Sequence, residues 1–141
     1  MLIFKKIKKT KNYLKALRAK NHQIGFVPTM GALHNGHLSL IKNSLNENDN
    51  TIVSIFINPT QFEKEQDFVK YPYEIENDIK KLEKISKKII LFSPSNHEMY
   101  QDKIMSDNFN FNNLDKFMEG KYRKGHFEGV ATIVNKLLNL I

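Results

Sequence analysis

Residues 51–57, Thr-Ile-Val-Ser-Ile-Phe-Ile, are β-branched and almost wholly apolar. A short run with no polar face is a strand covered on both sides, and that predicts a parallel sheet with helices packed on each face. The rest of the chain supplies the matching pieces. Ile75, Ile79, Leu82 and Ile85 recur at spacings of four and three, so residues 74–86 are predicted as an amphipathic helix. Residues 89–92 form the next buried strand, closed by Ser93-Pro94-Ser95. Upstream, residues 23–27 are a strand expected to end at Pro28. Leu38, Ile41 and Leu45 place a helix over 37–45, and a last apolar helix runs over 130–140. Near the start, Leu2–Phe4 reads as a short edge strand. Tyr13, Leu14 and Leu17 define a surface helix over 10–20 with Thr10 as its N-cap. The expectation is one α/β unit, a Rossmann-like parallel sheet with flanking helices, resembling half of a doubly wound sheet. No repeat, low-complexity tract or Gly/Ser linker divides it.

Composition narrows the function classes. The chain has 141 residues, enough for one domain with its own core, and 40% are hydrophobic. It lacks cysteine, which excludes a disulfide framework and any Cys-based zinc site. The net charge of +7 invites a nucleic-acid reading, but the basic residues are nearly all lysine, with Arg18 and Arg123 the only arginines. Arginine is the usual reader of phosphate forks and base edges, so no nucleic-acid partner is expected. The apolar run at the amino terminus is three residues long and no stretch approaches a membrane span; a cytoplasmic, membrane-free protein is the expectation. The chain finishes on Leu140-Ile141 inside an apolar helix with no Gly or Asn stop signal, which reads as a domain truncated at its carboxyl-terminal end.

The chemistry concentrates in Val27-Pro-Thr-Met-Gly-Ala-Leu-His-Asn-Gly-His37, in the first strand–loop–helix. Open parallel sheets bind nucleotides there, at the carboxyl ends of their strands. Gly31 and Gly36 let the backbone approach phosphate closely, and the helix start favours an anion. His34 and His37 are three apart, so both imidazoles are expected to face one phosphate group. Donors so placed stabilise charge growing on an α-phosphate under attack. As a metal site, His-x-x-His lacks a third ligand close in sequence, so no protein-held metal is expected.

The segment Gly25-Phe-Val-Pro-Thr-Met-Gly-Ala-Leu-His-Asn-Gly-His-Leu-Ser-Leu-Ile41 resembles the signature of the pantothenate synthetase family, as does Val53-Ser-Ile-Phe-Ile-Asn-Pro-Thr-Gln-Phe62. The similarity continues through Tyr71-Pro72, residues 78–82, Phe92-Ser-Pro-Ser95 with Met99-Tyr100, and Glu119-Gly-Lys-Tyr-Arg-Lys-Gly-His-Phe-Glu-Gly-Val130. The resemblance implies a ligase of the His-x-Gly-His nucleotidyltransferase type. Pantoate attacks the α-phosphate of ATP with Mg2+ assistance, and β-alanine then displaces AMP from pantoyl adenylate. It also implies an ATP loop of Met30, Gly31, Ala32, Leu33, His34, Asn35, Gly36 and His37, with His37 and His34 catalytic. Gln61, with Asn58 beside it, would hold pantoate or β-alanine; ordinary turn chemistry around Pro59 is the alternative for both. Arg123, His126 and Phe127 match a loop near the acyl-transfer end, though a surface role for Arg123 is equally open. Asp67 and the acidic helix residues read as a solvated face rather than magnesium ligands. Tyr122-Arg-Lys-Gly-His-Phe127 lacks the proline usual there, and the later clamp over the ATP phosphates and the lid domain are absent. A homodimer or a separately supplied carboxyl-terminal half are the protein partners it admits. The other functions left open are a non-catalytic or split-enzyme fragment and a small cytidylyltransferase-like nucleotidyltransferase.

Overall fold

The computed structural model describes residues 1–63, 65–101, 103–117 and 119–141. The chain runs β1 (Leu2–Phe4), α1 (Ile7–Arg18), β2 (Ile24–Thr29), α2 (Asn35–Glu47), β3 (Asn50–Ile55), a 3-10 turn (Pro59–Gln61) and α3 (Glu65–Lys70). It continues with α4 (Ile75–Ile85), β4 (Ile90–Phe92), α5 (Asn96–Tyr100), a second 3-10 turn (Leu114–Lys116), α6 (Glu119–Tyr122) and α7 (His126–Leu140). The four strands form one sheet in the order β1-β4-β3-β2, and every pair is parallel.

Side chains alternate across the strands and divide the core in two. Ile52, Ile90 and Phe92 face a layer that contains Leu14 and Leu17 of α1 and Ile133, Leu137 and Leu140 of α7. Val53, Ile55 and Leu91 face Ile41 of α2 and Leu82 of α4 on the opposite side. Residues 51–56 are all buried, as a strand lying between two helical layers must be.

Two local expectations give way to tertiary contacts. Thr10 does not cap α1: the helix begins at Ile7, and the buried Thr10 hydroxyl donates back to Lys6 O at 2.9 Å. The end is capped from far along the chain, where Glu98 Oε1 accepts from Ile7 N at 2.8 Å. Pro28 does not end β2 either; it pairs in register with Ser54. An edge strand tolerates a residue without an N–H, and β2 is one of the two edges of the described sheet. The last helix also starts earlier than its apolar period indicates, at His126 rather than 130.

Candidate functional site

At the carboxyl end of β2 the backbone is tied down before it turns. Thr29 Oγ1 donates to Ser54 O at 2.8 Å and accepts from Gly31 N at 3.2 Å. Gly31 then takes φ +88° and Ala32 φ +50°, two left-handed residues in succession. A Cβ at position 31 would sit 3.1 Å from both Asp78 Oδ2 and Ile55 Cγ2, so the turn needs glycine on conformational and steric grounds. Gly36, by contrast, lies in the first turn of α2 with no positive φ.

Helix α4 holds the other side of this loop. Asp78, fully buried, accepts from Leu33 N at 2.8 Å, and Lys81 Nζ donates to Leu33 O at 2.7 Å. The Leu33 side chain points away from the loop into the core beside Val27 and Ile41, so this residue contributes backbone rather than side chain to the site. Asp78→Ala would leave the Leu33 N–H buried and unpaired, a loss of about 1–3 kcal/mol. Urea denaturation should show that loss, together with weaker anion binding because the loop is no longer held.

The two histidines form the cap of α2. His34 is the N-cap, its Nδ1 accepting from Gly36 N at 3.2 Å, while His37 Nδ1 faces His34 N at 3.4 Å. A backbone N–H can only donate, so both Nδ1 atoms are acceptors and both ring protons reside on Nε2. The rings lie 4.0 Å apart between centroids, tilted by 36°. The helix start therefore presents two neutral imidazoles, each with an Nε2–H donor left over for a ligand. Partial burial pushes the His37 pKa below its usual value, the neighbouring His34 lowers it further, and Asp78 opposes with a smaller upward pull.

Linkage gives the sign of the pH effect. With the folded-state pKa depressed, the unfolded chain binds the extra proton first as pH falls. Stability is therefore complete above the unfolded value of about 6.5, declines as pH drops through it, and levels off below the folded value. Between about pH 7.5 and pH 5.5 the wild type should lose more stability than His37→Gln in paired urea melts.

Beyond His37 the loop opens on a cavity of about 310 Å3 bounded by Met30, His37, Gln61 and Tyr71 on one side and Val130 and Val134 of α7 on the other. A larger hollow of about 500 Å3 lies between α1 and α5, but solvated lysines 6, 8 and 11 line it and no part of the histidine motif reaches it. Gln61 is 8% exposed and its Nε2 lies against Met30 Sδ. Its Oε1 accepts from Nδ2 of Asn58, which is fully buried, at 3.2 Å. The amide consequently turns its donor end to the cavity.

The sequence-derived residues thus divide. Met30, His37 and Gln61 converge on one cavity, with His34 beside His37 and Asn58 behind Gln61. Asn35 is exposed at the first position of α2, and Ala32 is half-buried in the turn. Arg123 is placed apart, its Nη1 2.9 Å from Glu119 Oε2 in an exposed i,i+4 pair. His126 donates through Nδ1 to Gln61 O at 2.9 Å, so it acts on the loop that carries Gln61. Phe127 stacks edge-on against Phe111, and Asp67 is exposed on α3. Three contributors escaped the sequence reading: Tyr71 in the cavity wall, Asp78 beneath the loop, and Gly129, which packs against the Pro59–Gln61 turn. All three lie in segments that carry the family resemblance, but none had a role assigned. The solvated face expected of the acidic helix residues does not hold for Asp78, which is fully buried against the loop.

A family model described as Pantoate-beta-alanine ligase matches residues 2–141. The pantothenate synthetase of Flavobacterium psychrophilum is 50% identical over 141 residues, which are all of this chain and 50% of that protein. The synthetase of Aquifex aeolicus is 46% identical over 140 residues, 99% of this chain and 49% of that protein. Among solved structures, a pantoate-beta-alanine ligase from Francisella tularensis, complexed with beta-gamma ATP and beta-alanine, superposes with a TM-score of 0.91 at 44% identity. That match covers 99% of this chain and 53% of the other. The Thermus thermophilus pantothenate synthetase gives a TM-score of 0.89 at 35% identity, over 100% of this chain and 49% of its own. The chain spans about half the length of the curated relatives it matches. With a family match over nearly every residue and the histidine loop, sheet order and cavity in place, this chain belongs to the pantoate-beta-alanine ligase family.

Proposed function

We propose that this chain carries the nucleotide- and pantoate-binding part of an ATP-dependent ligase that joins pantoate to β-alanine through pantoyl adenylate. What supports the reading most is the pair of neutral histidines whose Nε2–H donors stand at the start of α2, beside a cavity containing the Gln61 amide. A pantoate carboxylate oxygen attacks the α-phosphorus of ATP and the bond to pyrophosphate breaks. Negative charge grows on the phosphoryl oxygens, where His34, His37 and the N–H groups of α2 donate. The Gln61 Nε2 donors hold the pantoate carboxylate or hydroxyl oxygens for that attack. The β-alanine amine then adds to the acyl carbon and AMP leaves.

The nucleotide enters as MgATP. Among the described residues no group of three or more His, Asp or Glu side chains is placed to hold a metal. Lys81 Nζ, 3.9 Å from Asp78 Oδ1, also takes the position a cation would want beside that carboxylate. Mg2+ commonly rides on substrate phosphates with several waters, and here it supplies charge neutralisation on the leaving pyrophosphate.

The test is pantoate-dependent exchange of labelled pyrophosphate into ATP, run with the chain alone and with the carboxyl-terminal half of the Flavobacterium psychrophilum synthetase added. Exchange by the chain alone, lost in His37→Ala, supports a self-sufficient adenylation site. Exchange only on complementation supports one piece of a two-piece ligase. No exchange in either arm overturns the reading for this chain.

A further inference from the structure

Gln61 can serve as a donor to a carboxylate only if its amide is held in one of two nearly isosteric orientations. A buried network behind it makes that choice. Asn58 Nδ2 donates to Gln61 Oε1 at 3.2 Å and to Gly129 O at 2.9 Å. The Gly129 carbonyl can only accept, so it forbids Asn58 the flipped orientation, in which Oδ1 would face another oxygen. The far end of Asn58 is then an acceptor needing donors. Tyr100 OH donates to Asn58 Oδ1, and Thr60 Oγ1 reaches the same atom at 3.2 Å and the Tyr100 oxygen at 3.1 Å. Asn58 is fully buried and Tyr100 only 6% exposed, so no bulk water substitutes for a missing partner. Burial also pushes the Tyr100 pKa up, which keeps the phenol protonated as a donor.

We propose that Tyr100, assisted by Thr60, is a positioning residue that fixes the Gln61 amide with its N–H donors toward the cavity, acting through Asn58. The consequence for ligand class rests on the proposed function: a donor at this spot favours a carboxylate or hydroxyl oxygen and disfavours an ammonium group. Tyr100 does not itself line the cavity and makes no hydrogen bond to Gln61; it meets the cavity wall only through apolar packing, on Phe56. Its ring packs 6.4 Å from Phe56 and beneath Lys136 Nζ, contacts that phenylalanine retains.

The experiment compares the wild-type chain with Tyr100→Phe, Thr60→Val and the double variant. Side-chain amide hydrogen exchange of Asn58 and Gln61 is followed by 15N-resolved NMR, and pantoate affinity by calorimetry. In the wild type the Asn58 amide, fully buried with both protons bonded internally, should exchange slowly, and more slowly than that of Gln61, which faces the cavity. Exchange should speed up modestly in each single variant and by about tenfold or more in the double variant, while backbone exchange in β3 stays slow. Pantoate binding should weaken in the same order with MgATP affinity unchanged. Unaltered side-chain exchange in the double variant, with β3 still protected, overturns the proposal. If the double variant unfolds, the single variants decide by the same criterion. If the wild-type chain binds no pantoate, the proposed function fails while the amide exchange still judges the positioning role.

Discussion

Gly129→Ala is expected to destabilise the chain by about 2 kcal/mol, although alanine is the better helix former by about 1 kcal/mol. Gly129 is buried in the first turns of α7, where that helix crosses the Pro59–Gln61 turn. A Cβ there would meet the Thr60 carbonyl oxygen and lie 2.6 Å from both Gln61 N and Gln61 Cα. The obstacle is backbone, which cannot rotate aside, so helix and turn must separate. Overpacking of this kind costs about 1–3 kcal/mol. Separation also weakens two bonds that join the elements, Asn58 Nδ2 to Gly129 O and His126 Nδ1 to Gln61 O, each 2.9 Å and each contributing about 1 kcal/mol. The steric and hydrogen-bond losses outweigh the propensity gain. Helix propensity alone predicts the opposite sign, so a urea-denaturation midpoint that rises in Gly129→Ala would refute this account of the α7 contact. The same variant should bind pantoate more weakly, because Gln61 moves with its turn.

The second large effect is on nucleotide. His37→Ala should weaken MgATP binding roughly 10- to 100-fold, the worth of one hydrogen bond to a charged phosphate, with little change in stability. The hydrogen bond that His37 Nδ1 accepts from His34 N is long, at 3.4 Å, and its ring lies against that of His34 at 4.0 Å between centroids on the exposed side, so both contacts are weak. His34→Ala should differ in kind. It removes the N-cap of α2 as well as a donor, so about 1 kcal/mol of stability should go along with the affinity. Calorimetric titration with MgATP, paired with urea melts of the same proteins, separates the two roles. Equal losses of stability in the two variants would contradict the division.

The parallel sheet was legible in the sequence because its interior strands carry no polar face. Residues 51–57 admit few structures other than a strand between two layers, and Ile75, Ile79 and Leu82 name the covering face of α4. The histidine loop was legible for a similar reason: a strand running into Gly31 and then a helix start leaves few places for an anion. What escaped were contacts made by distant backbone. The cap of α1 comes from Glu98, 91 residues from Ile7, while Thr10 looked like the better cap by every local criterion. His126 and Gly129 belong to a motif that reads as a loop by analogy, yet both sit in α7 and work by docking onto the turn that holds Gln61. Arg123 sits outside that contact, in the exposed pair with Glu119, in keeping with the surface role that its sequence left open beside the loop reading. Composition has no means of telling these cases apart, because each depends on which backbone atom lies across the gap.

The central claim is that α2 opens with two neutral imidazoles offering Nε2–H donors to a nucleotide phosphate. Long-range 1H–15N correlation spectra of the histidine rings, recorded near neutral pH with and without MgATP, test it directly. The account predicts that His34 and His37 both carry their proton on Nε2 in the free chain, and that saturating MgATP shifts both Nε2 resonances. Protonated Nδ1 on either ring, or spectra unmoved by saturating MgATP, would contradict it.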